Sequence, residues 1–209
     1  FHMKDKTYLI DSGGGVVVEY SNQKFYRHDK SFSHKNQYFS VYFTFENEIY
    51  ILGGYGLFTT KNILIKYDFK AREWFQIQTS GDVPEHITSE IFTVVNDTLY
   101  FINKGEHKID NTSELSVYAV DLNTFEFEHL GTSNYTEPNS RKQLNQLKDG
   151  RVSYFKNGFH VVLDFENNSI SKFRLESDLH FLTKFLRYDP ITDSYTMRTF
   201  QRGTEELKF

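Results

Sequence analysis

The chain has 209 residues, enough to bury a core as one domain or as two small ones. Its net charge is only −4 and its charges are interspersed, which excludes the basic block that a nucleic-acid or anionic-membrane surface requires. It has no cysteine, which excludes disulfides, zinc–thiolate centres and thiol catalysis, and it has no run of about 18 apolar residues that could cross a bilayer.

The first strand-like runs cover residues 8–10, 16–20 and 25–27, which we interpret as strands two to four of a unit at 6–32 that lacks its first strand. Residues 13–15 are three glycines. We expect a turn there rather than a phosphate cradle, because no helix and no Lys-Ser/Thr pair follow. Residues 1–3 have the character of a cloning remnant.

Two similar units follow, and each predicts a four-stranded antiparallel meander. The unit at 38–81 has strand-like runs that alternate or are apolar throughout, at 37–45, 49–52, 63–67 and 73–77. The unit at 89–133 has them at 90–95, 98–102, 115–120 and 125–130. Short turns and two longer polar loops separate these runs.

The last two units are shorter. The unit at 143–177 predicts strands at 144–147, 151–155, 159–163 and 170–175, joined by tight turns. The unit at 179–203 has only two predicted strands, at 181–188 and 194–200. Since only 25 residues separate Asp164 from Asp189, we expect this last unit to be incomplete.

One pattern recurs in all five units: an acidic residue is followed six positions later by a large apolar residue. The pairs are Glu19 with Phe25, Asp68 with Trp74, Asp121 with Phe127, Asp164 with Ile170, and Asp189 with Tyr195. We expect the acidic side chain to bond the backbone of a turn between strands three and four. We expect the apolar residue to pack between neighbouring sheets.

Repetition at a period of about 40–50 residues is typical of propellers and solenoids. Because a single meander cannot bury both of its faces alone, we predict one all-β propeller domain of about four to five antiparallel blades. Three units are complete and the first and last are incomplete. We expect the ring to be completed by residues 204–209 supplying the absent first strand, by a homodimer, or by a neighbouring segment.

The unit around the double glycine resembles a kelch repeat. Residues 49–54 read Ile-Tyr-Ile-Leu-Gly-Gly and are followed by Tyr67, Asp68 and Trp74, which matches the double glycine after strand two and the spaced Tyr and Trp of that family. Residues 188–195 resemble the turn between strands three and four of the same repeat. The resemblance implies a kelch-like β-propeller whose function is mostly protein binding, with a minority of enzymes.

The resemblance is complete in one unit only. The next unit has Asn103 and Lys104 where the double glycine belongs, and the unit after that has Ile170 in place of Trp. The copper oxidases of the family depend on a Tyr cross-linked to Cys, and this chain has no Cys. The resemblance therefore implies blades, but not that chemistry.

No catalytic, metal or cofactor residues are predicted. The histidines are scattered, without the close ligand pairs that usually mark zinc sites, and no Gly-x-Ser-x-Gly elbow is present. We favour a non-catalytic protein and assign no cofactor.

The predicted binding site lies in the two long loops 54–62 and 103–113, which both join strands two and three and should share one face. The candidate residues are Tyr55, Phe58, Lys104 and His107, with the aromatic side chains as anchors for a protein or peptide. The opposing expectation is that the two aromatic residues simply pack over a blade.

Three functions are open on the sequence alone: a protein-binding or scaffold module, an enzyme or carbohydrate-binding propeller that uses its central channel, and a sensor or scaffold segment of a longer protein. We favour the first, with neither a nucleic-acid partner nor membrane insertion. The sequence leaves the compartment open, with a soluble cytoplasmic protein slightly favoured.

Overall fold

The computed structural model describes residues 1–3, 6–11, 13–30, 37–89, 91–104, 115–132, 144–156, 158–175, 186–189, 191–198 and 204–207. Those residues form β-strands, turns and irregular segments, with no helix among them. Within these ranges, then, there is no helix of the length and apolar character needed to cross a membrane.

The first sheet has four strands, paired antiparallel in chain order. They are β1 (His2–Met3), β2 (Lys6–Ile10), β3 (Val17–Ser21) and β4 (Lys24–Arg27). The first strand of this unit was expected to be absent. It is present, but it is only two residues long. His2 pairs with Thr7, and the side chain of Met3 is buried in the core.

The expected turn role of Glu19 is wrong. The chain reverses between β3 and β4 at Asn22 and Gln23, whose φ values of 50° and 60° suit a two-residue hairpin turn. Glu19 therefore lies within the strand, where its carboxylate is 3.0 Å from Lys6 Nζ. Phe25, the expected packing residue, is 65% exposed.

The second sheet is the meander predicted between residues 38 and 81, with a small hairpin inserted after its second strand. Its strands are β5 (Val41–Phe45), β6 (Glu48–Leu52), β9 (Leu64–Asp68) and β10 (Glu73–Ile77). The inserted hairpin consists of β7 (Tyr55–Gly56) and β8 (Thr59–Thr60). A core cluster joins the first two sheets; its buried members are Met3, Tyr8, Val17, Ile49, Ile51, Ile65, Tyr67 and Trp74.

The third sheet contains the predicted meander and one additional strand. Its members are β11 (Ser80–Gly81), β12 (Phe92–Val95), β13 (Thr98–Asn103), β14 (Ser116–Asp121) and β15 (Glu126–Thr132). They lie in the order β11-β15-β14-β13-β12. The extra strand β11 pairs parallel with β15, so the preceding unit donates an edge strand to this one.

The fourth sheet is again an antiparallel meander in chain order. It consists of β16 (Asn145–Gln146), β17 (Val152–Lys156), β18 (Phe159–Asp164) and β19 (Ser169–Arg174).

The last sheet has three strands in the described residues: β20 (Leu186–Asp189), β21 (Ser194–Arg198) and β22 (Thr204–Leu207). The described residues hold three strands in this unit, one more than the two predicted; residues 176–185 and 199–203 lie outside the described ranges, so the incompleteness of the unit stays a prediction. The predicted partner of the C-terminal segment is wrong, because β22 pairs with β21 of its own sheet. The edge of the first sheet that this segment was expected to fill is occupied by β1.

The expected aspartate turns are confirmed in four units. Asp68 Oδ1 accepts hydrogen bonds from the amides of Lys70 and Ala71 at 2.7 and 2.8 Å, and Asp121 Oδ1 accepts one from the amide of Asn123 at 2.7 Å. The equivalent bonds at the other two turns are Asn167 N to Asp164 Oδ1 and Ile191 N to Asp189 Oδ1, both 2.9 Å.

The apolar partner of the pattern is buried in three units only. Trp74, Phe127 and Tyr195 are each at most 6% exposed, whereas Ile170 is 36% exposed. The pattern therefore fixes a turn more reliably than it fixes a core contact.

The strands group into two compact units. The first compact unit comprises Phe1–Phe92 and Asn96–Asn134, and it contains the first three sheets except for residues 93–95. The second compact unit comprises Thr93–Val95 and Tyr135–Phe209, and it contains the last two sheets. The fold class predicted from the sequence, an all-β chain of antiparallel blades of the β-propeller class, is confirmed.

Candidate binding site

The double glycine after β6 lets two chain segments meet closely. Gly53 and Gly54 have φ values of 66° and 98°, a region that favours glycine. A Cβ on Gly53 would lie 2.5 Å from the carbonyl oxygen of Ile87. Both reasons expected for these glycines, positive φ and close approach, are therefore present.

Segment 86–89 connects the bases of the two predicted binding loops. Gly54 N donates to Ile87 O at 2.7 Å, and Ile87 N donates to Lys61 O at 3.1 Å, so this segment pairs with both ends of the first loop. Lys104 N donates to Thr88 O at 2.9 Å, which ties the start of the second loop to the same segment. Both loops are thus tied at their bases to one segment, and we call the surface that carries residues 54–62 and Lys104 the loop face.

Asn103 holds the base of the second loop against segment 86–89, as the double glycine does for the first loop. Its side chain is buried and accepts a hydrogen bond from Thr88 N at 3.1 Å through Oδ1. Its Nδ2 donates to His86 O at 2.9 Å. A side chain here bridges the gap that backbone contact closes at Gly54, which explains why this unit folds without the double glycine.

Tyr55 is a structural residue of the loop face. It forms an isolated antiparallel bridge with Tyr38, with N···O distances of 2.8 and 2.6 Å in the two directions. The Tyr38 ring in turn lies over Gly13, where a Cβ would overlap it. Because Tyr55 is half-buried, Phe58 is the better candidate for the aromatic anchor of a partner.

The hairpin β7–β8 ends in two bulky apolar residues that point away from the protein. Leu57 and Phe58, which we call the hairpin tip, are 65% and 96% exposed. The expectation that Phe58 packs over a blade is therefore wrong.

The backbone of the hairpin tip is in an unfavourable conformation for its side chains. The φ values are 54° at Leu57 and 65° at Phe58, which is the two-residue hairpin turn that strongly prefers Asn-Gly. A left-handed conformation costs a residue with a Cβ roughly 1–2 kcal/mol. Burial does not offset this cost, because both side chains face solvent.

The remaining predicted site residues differ in their surroundings. Lys104 is half-buried at the base of the second loop, and His107 lies outside the described residues. Beside the first loop, burial lowers the pKa of the Lys61 ammonium group. The face therefore presents its exposed apolar surface mainly at the hairpin tip.

The base of the loop face also contains a buried amide. Gln37 is fully buried and its Nε2 donates to Gly53 O at 2.6 Å. Its Oε1 has no hydrogen-bond partner within the described part of the chain. The bond to Gly53 O helps to hold the double glycine in place, so this side chain stabilises the start of the hairpin.

The described residues give no support to metal chemistry at this face. Nowhere in the described ranges do three or more His, Asp or Glu side chains come together as a metal site would require. What the face offers is shape and apolar area, which suit binding.

Sequence reasoning missed Leu57. A signal for it exists, because residues 56–59 read Gly-Leu-Phe-Thr, and two adjacent large apolar residues stand where a tight turn normally has Asn, Asp or Gly.

Comparison with known proteins supports the fold and does not extend to function. No protein-family model matches the chain, and no curated protein matches it. Among solved structures, the chain is similar to the protein of the "Structure of YjhT", with a TM-score of 0.58 and 14% identity over 85% of this chain and 67% of that one. At this identity, the likeness shows a shared fold alone.

Proposed function

We propose that this chain is a non-catalytic binding or scaffold module that recognises a protein or peptide partner through its loop face. The observation that carries the proposal is the hairpin tip. Phe58 is 96% exposed, and both tip residues have a left-handed backbone conformation whose cost is not offset by burial of their side chains. Strain at an exposed, apolar position is typical of residues retained for recognition.

The shape of the tip suggests how it would bind. A two-residue turn projects Leu57 and Phe58 from a short hairpin, whose base is held by the Tyr38–Tyr55 bridge and by Ile87. Such a rigid knob fits an apolar cleft on a partner, and a buried aromatic anchor commonly supplies much of the binding energy. Preorganisation of the turn reduces the entropy lost on binding.

The kelch-like character of the module is part of the proposal. It is supported by the double glycine at Gly53 and Gly54, whose φ values are positive, and by the buried Tyr67 and Trp74. The resemblance implies protein binding, and an exposed hairpin tip is suited to it.

Selection from a random peptide library tests the proposal even though the partner is unidentified. Peptides are selected on the full wild-type chain alone, and the affinity of each is then measured for the wild-type chain and for the Phe58→Ser variant. We expect the recovered peptides to bind the wild-type chain and to bind the variant at least tenfold more weakly, since loss of an aromatic anchor costs about 2 kcal/mol or more.

A matched control is available on another strand. Phe75 on β10 is 49% exposed and is not part of the loop face, so Phe75→Ser should leave the peptide affinities unchanged. Peptides that bind both variants as tightly as the wild-type chain, or that respond only to Phe75→Ser, would refute the proposal.

A further inference from the structure

A concave site lies in the compact unit that holds the last two sheets. It is a pocket of about 220 Å³ between β18, β19 and the β20–β21 hairpin. Its lining is dominated by rings and includes His160, Phe173, Tyr188 and Tyr195, together with the charged side chains Asp193 and Arg151. Pockets for drug-sized ligands are about 300–1,000 Å³, so this one fits a smaller group.

The rings of His160 and Tyr188 are both steeply inclined to the ring of Tyr195. His160 stands at 83° to Tyr195 with 5.3 Å between ring centroids, and Tyr188 stands at 55° to Tyr195, also at 5.3 Å. Phe173 continues the wall formed by His160, with centroids 6.1 Å apart, and is 57% exposed. The pocket is therefore open on the Phe173 side.

Hydrogen bonds fix two of these rings. The Tyr195 hydroxyl is 2.5 Å from Ser153 Oγ and 2.9 Å from His160 Nε2, so both rings are held in place. Burial lowers the pKa of His160 to about 4, and the imidazole is neutral at physiological pH. This wall of the pocket thus offers ring surface without a positive charge.

The charges around the pocket favour a cation. Asp193 is exposed at the pocket, and its Oδ1 accepts a hydrogen bond from the Tyr188 hydroxyl at 2.5 Å. The one cation of the lining, Arg151, is paired with Asp149 at 2.6 Å. Asp149, Asp164 and Asp193 together raise the pKa of the Arg151 guanidinium, so among the described residues three carboxylates surround one cation and the charge beside the pocket is net negative.

We propose that this pocket binds a small alkylammonium group, held by the rings of Phe173 and Tyr188 and by the carboxylate of Asp193, with the buried Tyr195 at its floor. Aromatic walls attract an organic cation through the negative charge of their π faces, and several walls around one cation form an aromatic cage. A neighbouring carboxylate adds Coulomb attraction and discriminates against neutral groups of the same shape.

The experiment compares two ligands of matched shape on the full chain. Choline carries a trimethylammonium group, and 3,3-dimethylbutan-1-ol has the same outline with a neutral carbon in place of nitrogen. Binding is followed by the shifts of backbone amide NMR signals during titration. We expect choline to bind and shift the signals of β18, β19 and β21, and the neutral alcohol to bind at least tenfold more weakly.

Three variants assign the effect to the pocket. Phe173→Ala removes an exposed wall, and Asp193→Asn removes the charge while keeping a residue that tolerates the left-handed backbone at this position, where φ is 50°. We expect each to weaken choline binding by about fivefold or more. Phe159→Ala, on the same sheet but outside the lining, should leave the affinity unchanged.

Alkylammonium groups occur both on small quaternary amines and on methylated lysine side chains. A trimethyl-lysine peptide and its unmethylated counterpart, titrated in parallel with choline, distinguish these sources, and preference for either methylated ligand supports the site. Equal binding of choline and its neutral analogue, no binding of any methylated ligand, or full affinity in the Phe173→Ala and Asp193→Asn variants would overturn it. None of these outcomes involves the hairpin tip.

Discussion

The indole Nε1 of Trp74 donates a hydrogen bond to the carbonyl oxygen of Gly15 at 2.9 Å, which joins β10 of the second sheet to the turn before β3 of the first. The indole is 5% exposed and packs against Tyr67 with ring centroids 5.2 Å apart. One side chain thus links two sheets through both packing and a directional bond.

We predict that Trp74→Phe lowers the free energy of unfolding of the compact unit with the first three sheets by roughly 1–3 kcal/mol. The change leaves the buried carbonyl of Gly15 without its donor and removes part of the packed ring. Trp74 is the only tryptophan, so the substitution removes the fluorescence signal of the chain. Urea unfolding is therefore followed by far-UV circular dichroism. Phe75→Leu, at a half-exposed neighbouring position, should change stability by less than about 0.5 kcal/mol. Equal effects of the two changes would contradict the role of the bond to Gly15.

The double glycine provides a second prediction. Gly53→Ala should destabilise far more than Gly131→Ala, because both positions have positive φ but only Gly53 also faces a backbone atom within 2.5 Å. Backbone strain alone is the expected effect at Gly131, where a Cβ meets nothing within 4 Å, and it costs roughly 1–3 kcal/mol. Thermal unfolding of the two variants compares them directly, and similar losses would show that the contact with Ile87 is not tight.

The aspartate turns predict a response to acid. Hydrogen bonds from the amides of Ala71 and Lys70 lower the pKa of Asp68 below its ordinary value of 3.8. Since the folded-state pKa is depressed, this stabilisation is complete above pH 3.8 and is lost as pH falls from there through the lower folded value. Melting temperatures between about pH 2 and 6 should therefore fall less steeply on the acid side for Asp68→Asn than for the wild-type chain. Parallel curves would be inconsistent with the turn.

His160 predicts a separate window at higher pH. Burial lowers its folded pKa from 6.5 to about 4, so the unfolded chain takes up the proton first as the pH falls. Stability from this group is complete above pH 6.5 and declines between pH 6.5 and 4, by at most about 3 kcal/mol in total, because solvent near the ring screens part of the effect. In NMR titrations the His160 ring should not respond between about pH 8 and 5, and its titration near pH 6.5 would disprove the burial of the imidazole.

Local chemistry made part of the fold predictable. The turns at Asp68, Asp121, Asp164 and Asp189 follow from one short side chain that bonds the next amides, and all four are present. The same interpretation fails at Glu19, because its longer side chain reaches Lys6 instead, and the turn forms further along the chain, at Asn22 and Gln23.

The candidate site was predictable only in outline. The position of the two loops in equivalent places of successive units predicts that they share a face, and segment 86–89 bonds the bases of both, at Gly54 and at Lys104. The sequence named Phe58 as a candidate anchor but left packing over a blade open, since an apolar side chain in a loop packs inward as readily as outward until the turn type is known.

The pocket of the second unit had no local signal at all. His160 and Tyr195 are 35 residues apart, and their contact depends on how the β20–β21 hairpin packs on β18. The sequence shows an isolated histidine in a strand and an aromatic residue after a turn. Neither pattern indicates a shared site.

The most direct test of the proposed binding role is the double change Leu57→Asn with Phe58→Gly, which gives the hairpin tip the residues its turn prefers. We predict that the melting temperature rises by about 2–4 °C, as relief of roughly 1 kcal/mol of strain gives in a chain of this size, while affinity for tip-dependent peptides falls at least tenfold. A lower melting temperature, or peptide binding equal to that of the wild-type chain, would show that the tip is a folding element and not a recognition element.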